Sequence, residues 1–331
     1  MTTHVNTPEK AHKLSELIEY YEVCNRAEGK SPKTISWYSA NLKSFRNYLK
    51  NRHLPDSLDN IDTKLLREYV LYLLKKTRYE NHPYTPAKTE LLSAATVHGH
   101  VRTLRAFFNW LVVEGLAQDN PAKDLKPPKV SRKVVSTLSD EEIGAILNTF
   151  STSPSDARNQ TLFMILLDTG LRIGELVNLK MDDVHMDEGY LKVLGKGKKE
   201  RIVPIGKFVQ MELLHYIEKV RPQPYYGDCD KLFLSRSGKP ITVNTVKLVF
   251  SRLAKNSGVN RLHAHLCRHT FAINYLLNGG DIFSLREILG HTTLEMVNHY
   301  LHFTSSQITS QHHKYSPMDR MQEKEGKVES S

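Results

Sequence analysis

Cysteine is scarce: Cys24, Cys229 and Cys267 are the only three, with no CxxC pair among them. An odd number at wide spacing excludes a disulfide framework and a thiolate metal site, and fits a reducing compartment. Long apolar runs are missing too. No stretch approaches the length of a membrane span, and Met1 to Lys10 shows no apolar segment behind a basic start, so neither a spanning helix nor a secretion signal is expected. No internal repeat is found either. These absences point to a soluble, cytoplasmic protein with no membrane partner.

Positive charge is what the chain has in excess. Lysine and arginine number 46 against 36 acidic residues, a formal net charge of +10, and the pI is about 9.3. Each phosphate neutralised by Lys or Arg releases condensed counterions, which makes nucleic acid the leading partner class. Anionic membrane surfaces attract the same charge. At 331 residues the chain exceeds what one hydrophobic core usually serves, so two domains are expected.

The first domain reads as a helical bundle. Thr7-Pro8 and Ser31-Pro32 are each an N-cap followed by Pro at the first helical position. Leu14, Leu17, Ile18 and Tyr21 then recur at helical spacing up to Gly29, and Ile35, Tyr38, Leu42, Phe45 and Leu49 do so after Ser31. Leu66, Tyr69, Val70 and Leu73 predict a third helix. Val97, Val101, Leu104, Phe108 and Leu111 predict a fourth, closed by Gly115. Between them the polar stretch from Lys75 to Lys88 reads as a loop. Lys33, Lys43, Arg46, Arg102 and Arg105 punctuate the polar faces, as phosphate contacts or as plain solvated charge. From Asn120 to Ser136 the periodicity stops, and Pro121, Pro127 and Pro128 mix with basic residues that include Lys129 and Arg132. That composition predicts an extended basic linker. The expected divisions are 1–119, 120–136 and 137–331.

The second domain opens with Ser139 and Glu142 in capping-box spacing. A buried helix is predicted over Leu162 to Leu167, then a turn at Asp168, Thr169 and Gly170, then a helix carrying Arg172 to Leu179. The period changes at Tyr190 to Leu194 and Arg201 to Ile205, two strands joined by the basic turn Gly195-Lys196-Gly197-Lys198-Lys199. Further helices are predicted around Phe208 to Val220, Val243 to Lys255, His265 to Leu277, Asp281 to Leu289 and Leu294 to Tyr300. The fold class is therefore mostly α with a small β-hairpin in the second domain. The last residues, in a mixed-charge tail, are expected to be disordered.

Arg172, Lys196, His265, Arg268, His291 and Tyr300 are polar groups that a plain core would not want, and together they suit displacement at a phosphodiester. That reaction needs a nucleophile, cations for the non-bridging oxygens and an acid for the leaving oxygen. Arg172 and Arg268 offer guanidinium forks that match two phosphate oxygens. Arg268 follows His265 by about one helical turn. Lys196 sits in the basic turn, with Lys198 and Lys199 as competitors. Each of these residues alone has a bland explanation: a surface pair of Arg172 with Glu175, structural histidines, solvated tip lysines. Tyr300 follows His291 by nine residues. A free phenol has a pKa near 10 and is only about one part in a thousand ionised at neutral pH, so it needs neighbouring cations and an imidazole. Tyr190 and Tyr315 are less well bracketed alternatives.

The runs Thr169-Gly170-Leu171-Arg172-Ile173-Gly174-Glu175-Leu176, Gly195-Lys196-Gly197, His265-Leu266-Cys267-Arg268-His269-Thr270-Phe271-Ala272 and Leu289-Gly290-His291, followed by Tyr300, resemble the motifs of the tyrosine recombinase (phage integrase) family in their order. The helical first domain resembles that family's SAM-like core-binding domain, and the remainder its catalytic domain. Cys267 stands where the family often has Leu. The resemblance implies that Tyr300 attacks a backbone phosphate to give a 3′-phosphotyrosyl bond, with Arg172, Arg268 and His291 holding the phosphate. It further implies Lys196 as general acid, His265 assisting proton transfer and Glu175 orienting Arg172, with no metal, ATP or other cofactor. Strand exchange would pass through a four-way junction in a homotetramer on two double-stranded DNA sites, open to an accessory or regulatory protein, in a cytoplasmic, nucleoid-associated setting. The segment from Thr304 to about Ser316 is the candidate for docking on a neighbouring subunit, and the two domains are expected to clamp the duplex. No arm-site-binding domain is expected ahead of the bundle, as in simple Xer-like or transposon integrases. The rival readings are a type IB topoisomerase-like nicking enzyme, a catalytically silent DNA-binding protein, and a metal hydrolase built on His263, His265 and His269.

Overall fold

The structure, a computed structural model, describes residues 13–80, 86, 88–129, 136–195, 199–227, 229–290, 293, 312 and 316. The chain divides into two compact units, Met1–Arg132 and Lys133–Ser331.

The described part of the first unit is built on the helices α1 (Leu14–Ala27), α2 (Pro32–Asn51), α3 (Thr63–Lys75) and α4 (Ala94–Val113). Side-chain caps start three of them: Ser31 accepts from the Thr34 amide, Asp62 from Leu65 and Ser93 from Thr96, each satisfying an amide that has no intrahelical partner. Gly29 and Gly115 take φ of +73° and +70° beyond the ends of α1 and α4, a region that glycine enters without a Cβ clash. The apolar stripes face inward, so Leu17, Tyr21, Leu42, Phe45, Tyr69, Val97, Phe107 and Phe108 share one core.

One expectation gains detail here and another changes. The loop from Lys75 is pinned at its base: Thr77 pairs antiparallel with Leu91, and Arg78 donates to the Glu90 carbonyl and accepts from the Lys88 amide. The basic linker does not begin extended at Asn120. The Asn120 side chain accepts from the Ala122 amide at 2.8 Å, a local turn bond that competes with extended backbone. Thr63 donates to the Pro121 carbonyl, and Ala122 and Leu125 are buried in the bundle core. Thr7 and Pro8, expected to start the first helix, lie outside the described residues.

The second unit contains α5 (Asp140–Leu147), α6 (Pro154–Thr169), α7 (Ile173–Leu176), a sheet of β1 (Val184–His185), β2 (Tyr190–Leu194) and β3 (Glu200–Pro204), then α8 (Lys207–His215), α9 (Val243–Ser257), α10 (Ala264–Leu277) and α11 (Ile282–Leu289). The sheet is antiparallel in the order β1-β2-β3, with Val193 opposite Arg201. The mostly helical class with a small sheet is therefore the one expected. Ser139 and Glu142 form the predicted capping box of α5. Asp168 and Thr169, expected in a turn, belong to α6, whose Leu162, Phe163, Ile165 and Leu166 are buried. The helix expected through Leu179 stops after Leu176. The helix expected to run to Val220 widens after His215 into a π-type turn, Tyr216–Val220. Strand β1, two residues long, has too few positions to show a period. The helix expected over Leu294 to Tyr300 lies outside the described residues.

Gly170 fixes how these helices meet. Its φ is +63°, and a Cβ there would lie 2.6 Å from the Phe271 ring and 2.8 Å from the Leu289 side chain. Glycine alone permits both the left-handed turn and the close approach of α10 and α11.

Candidate active site

The last carbonyls of a helix have no intrahelical donor and carry the negative end of its dipole. At the end of α11 three arginines take up those acceptors. Arg268, on α10 and only 2% exposed, donates to the Leu289 carbonyl at 2.8 Å and to the Gly170 carbonyl at 2.6 Å. Arg172, at the start of α7, donates to the same Leu289 carbonyl at 3.4 Å. Arg201, on β3, donates through Nε to the Ile288 carbonyl at 2.8 Å. Gly290 then turns the chain with φ of +61°.

One buried carboxylate serves this group. Glu175 Oε1 accepts from Arg172 Nη1 at 2.9 Å and Arg201 Nη1 at 3.0 Å, while Oε2 accepts from the Arg172 amide and from Arg201 Nη2, both at 2.9 Å. Burial pushes the Glu175 carboxyl up, but the bonds from Arg201 and from the Arg172 amide and side chain prevail and hold it below the usual carboxylate range. It is ionised at neutral pH. Two guanidinium groups thus share one carboxylate, and Arg268 joins Arg172 at the Leu289 carbonyl, which leaves the cluster net positive and suited to an anion. Arg172 is its open edge, with a side chain 34% exposed.

His265 and His269 lie on α10 with ring centroids 5.5 Å apart. Desolvation first, then the charges of Arg268, His263 and Arg172, lower the His265 pKa. Burial, followed by His265, His263 and Arg268, brings His269 down to about 4. Both imidazoles are therefore neutral at pH 7, and each has a nitrogen able to accept a proton. His263 Nδ1 lies 2.7 Å from the Arg261 carbonyl. Among the described residues no group of three His, Cys, Asp or Glu side chains is placed to hold a metal ion, so the trio of His263, His265 and His269 does not form the imagined metal centre.

The expected site residues thus divide. Arg172, Glu175 and Arg268 meet around the end of α11, and His265 stands one turn before Arg268. Lys196, His291 and Tyr300 lie outside the described residues, as does Arg132. On the bundle, Lys33, Lys43, Arg46, Arg102 and Arg105 are all exposed, and so is Lys129. Lys43 lies 3.8 Å from Glu22, and Arg46 pairs with Asp56 at 2.9 Å. Among the described residues Lys33, Arg102 and Arg105 have no ion pair. Arg201 was missed as a site residue, although strand alternation carried a signal for it. It shares parity with Val203, which is fully buried, whereas Ile202 is 58% exposed, so Arg201 points inward where an arginine requires a partner.

Comparison with known proteins bears on the whole chain. The phage integrase family model matches residues 136–307, and the phage integrase SAM-like domain matches residues 16–127. Tyrosine recombinase XerD of Staphylococcus aureus (strain Mu50 / ATCC 700699) is 30% identical over 302 residues, covering 90% of this chain and 97% of that protein. Its namesake from Listeria innocua is 30% identical over 295 residues, covering 88% of this chain and 94% of that one. Among solved structures, the XerH site-specific recombinase bound to difH substrate in a pre-cleavage complex superposes with a TM-score of 0.67 at 25% identity, covering 90% of this chain and 84% of that chain. Since both units match in order, and relatives align along about nine-tenths of the length, the chain belongs to the phage integrase family and is a site-specific tyrosine recombinase, an enzyme that breaks and rejoins DNA.

Proposed function

We propose that this recombinase exchanges strands between two double-stranded DNA sites through a 3′-phosphotyrosyl intermediate on Tyr300. The observation that carries the proposal is the convergence of Arg172 and Arg268 on the Leu289 carbonyl, two residues before His291. Held there, the two guanidinium groups are placed ahead of reaction to stabilise charge on the non-bridging oxygens of a phosphodiester, with His291 as a further donor.

In the forward step the Tyr300 oxygen forms a bond to phosphorus and the bond from phosphorus to O5′ breaks. Lys196 gives its proton to the departing 5′ oxygen. The phenolic proton passes to His265, which the lowered pKa keeps neutral and able to accept it. In the return step a 5′ hydroxyl from the partner duplex attacks phosphorus and surrenders its proton to Lys196, while the tyrosyl oxygen leaves and recovers its own. Two such exchanges make a four-way junction. The bond energy stays in the phosphotyrosyl link, so the balance calls for no metal and no nucleotide. Glu175 orients Arg172 throughout.

The XerH recombinase solved on its difH substrate supports duplex DNA as the partner. We place four subunits on two sites in the cytoplasm, with the segment from Thr304 to about Ser316 docking on a neighbour. The bundle and the linker meet the phosphates of the duplex through Lys33, Lys43, Arg46, Arg102, Arg105, Lys129 and Arg132. The test uses duplexes selected by binding from a random pool and two-site strand exchange in the presence of a chelator. Joined products from wild type, and none from Tyr300→Phe or from a chain ending before Thr304, are expected. Relaxation of a single circle without joined products would replace strand exchange by a topoisomerase-like reaction. Bound DNA without any cleavage would overturn the proposal.

A further inference from the structure

A carboxylate that grips an arginine by both oxygens withdraws that arginine from other anions. Glu175 lies three residues from Arg172 and is free to make such a grip unless something else fills its oxygens. Arg201 fills them: Nη1 meets Oε1 at 3.0 Å and Nη2 meets Oε2 at 2.9 Å. Arg172 is left with one side-chain bond to the carboxylate, at 2.9 Å, and its side chain is 34% exposed against 12% for Arg201. Arg201 therefore spends its donors inside the protein and leaves the outer N–H groups of Arg172 uncommitted to Glu175.

The same side chain touches the two segments that lead to the other candidate cations. Its Nε donates to the Ile288 carbonyl at 2.8 Å, and Gly290 packs so closely on it that a Cβ there would lie 3.1 Å from Cδ, Cζ and Nε. The next residue in the chain is His291. On the other side Gly195, whose amide donates to the Lys199 carbonyl to close the basic turn, approaches so near that a Cβ would lie 3.3 Å from Arg201 Nη1. The residue after Gly195 is Lys196. Hairpin, α7 and the end of α11 thus meet on one guanidinium.

We propose that Arg201 is a positioning residue for DNA cleavage: by saturating Glu175 it keeps Arg172 open to the scissile phosphate, and it holds in place the chain leading into Lys196 and His291. This rests on the Tyr300 mechanism proposed above. Arg201 itself does not touch DNA in this account, since its side chain is 12% exposed and bonded inward at all three nitrogens.

The test compares full-length wild type with Arg201→Lys, Arg201→Met, Glu175→Gln and the Arg201→Met/Glu175→Gln double variant. DNA affinity and the single-turnover rate of covalent adduct formation are measured on a nicked suicide duplex. Both Arg201 variants should bind DNA as wild type does and form adduct at least about tenfold more slowly, roughly 1.4 kcal/mol of barrier. The double variant should be no slower than Arg201→Met alone, because the carboxylate freed to clamp Arg172 has been neutralised. A purely structural pair would also couple in the double variant, but it would lower DNA affinity and thermal stability together with the rate. Adduct formation at the wild-type rate in Arg201→Lys, or losses that add in the double variant, would overturn the proposal even if Arg201→Met failed to fold. No adduct from wild type would overturn the Tyr300 mechanism itself, and is seen before any variant is examined.

Discussion

The helical unit and the catalytic unit bury different kinds of polar group. Among the described residues of the bundle, the buried titratable side chains are neutral. Tyr69 donates to Ser44 at 3.1 Å and lies 3.2 Å from His100 Nδ1, burial drives its phenol pKa up, and burial followed by the Lys76 charge brings His100 down to about 4. Ion pairs described in that unit lie toward its surface, as Arg46 with Asp56 does. In the catalytic unit Arg158, Glu175 and Arg268 are buried as ions. Arg158 is held by the Leu234 carbonyl and the Asn159 side chain, and Arg268 by the carbonyls that end α6 and α11. Desolvating an ion costs several kcal/mol and is repaid only by prepared partners. The bundle is a scaffold with its chemistry outside, whereas the catalytic unit keeps charge poised within.

The strongest way to break this contrast is to remove one buried polar group from each unit. Arg268→Met should slow adduct formation by about 10²- to 10³-fold, the range seen when one prepared donor is lost from a charged transition state. Tyr69→Phe should cost about 1 kcal/mol of stability and leave the single-turnover rate unchanged. Similar losses of rate from both would erase the distinction.

Acid should weaken the bundle through a group that is buried uncharged. The folded-state pKa of His100, about 4, lies below its ordinary value of 6.5, so on acidification the unfolded chain takes up the proton first. The contribution is fully present above pH 6.5 and is lost as pH falls toward 4, by roughly 3 kcal/mol. His269 in the catalytic unit adds a limb of the same sign. Denaturant unfolding of His100→Asn should show a shallower fall between pH 7 and pH 5 than wild type. An unchanged slope would mean that His100 is not held neutral.

The smallest effects belong to the bundle surface. Lys33→Ala and Arg46→Ala should each change stability by less than about 1 kcal/mol. Lys33 should affect DNA affinity more, because Arg46 is already engaged by Asp56. Each phosphate contact removed should flatten the salt dependence by about 0.9 log units per log unit. Equal effects from the two would show that the Asp56 pair opens on binding.

What the sequence disclosed was local. Caps at Ser31 and Ser139, helical spacing in the bundle, and alternation across β2 and β3 each depend on neighbours a few residues away. The end of α7 and the packed turn after Asn120 were not legible, since each depends on local backbone bonds that composition does not reveal. Arg201 shows the limit most clearly. Its partners, Glu175 and Ile288, lie 26 and 87 residues away in the chain, and only strand parity hinted that it turns inward. Arg172 and Arg268 were legible as chemistry, but their meeting at the Leu289 carbonyl is a tertiary fact.

The most direct test of the central claim is to trap the adduct on a suicide duplex, digest it with protease and locate the attached nucleotide by mass spectrometry. The account predicts the nucleotide on the peptide containing Tyr300, linked through a 3′ phosphate, with a free 5′ hydroxyl on the released strand. Attachment at Tyr190 or Tyr315, or a phosphate left on the 5′ end, would contradict it.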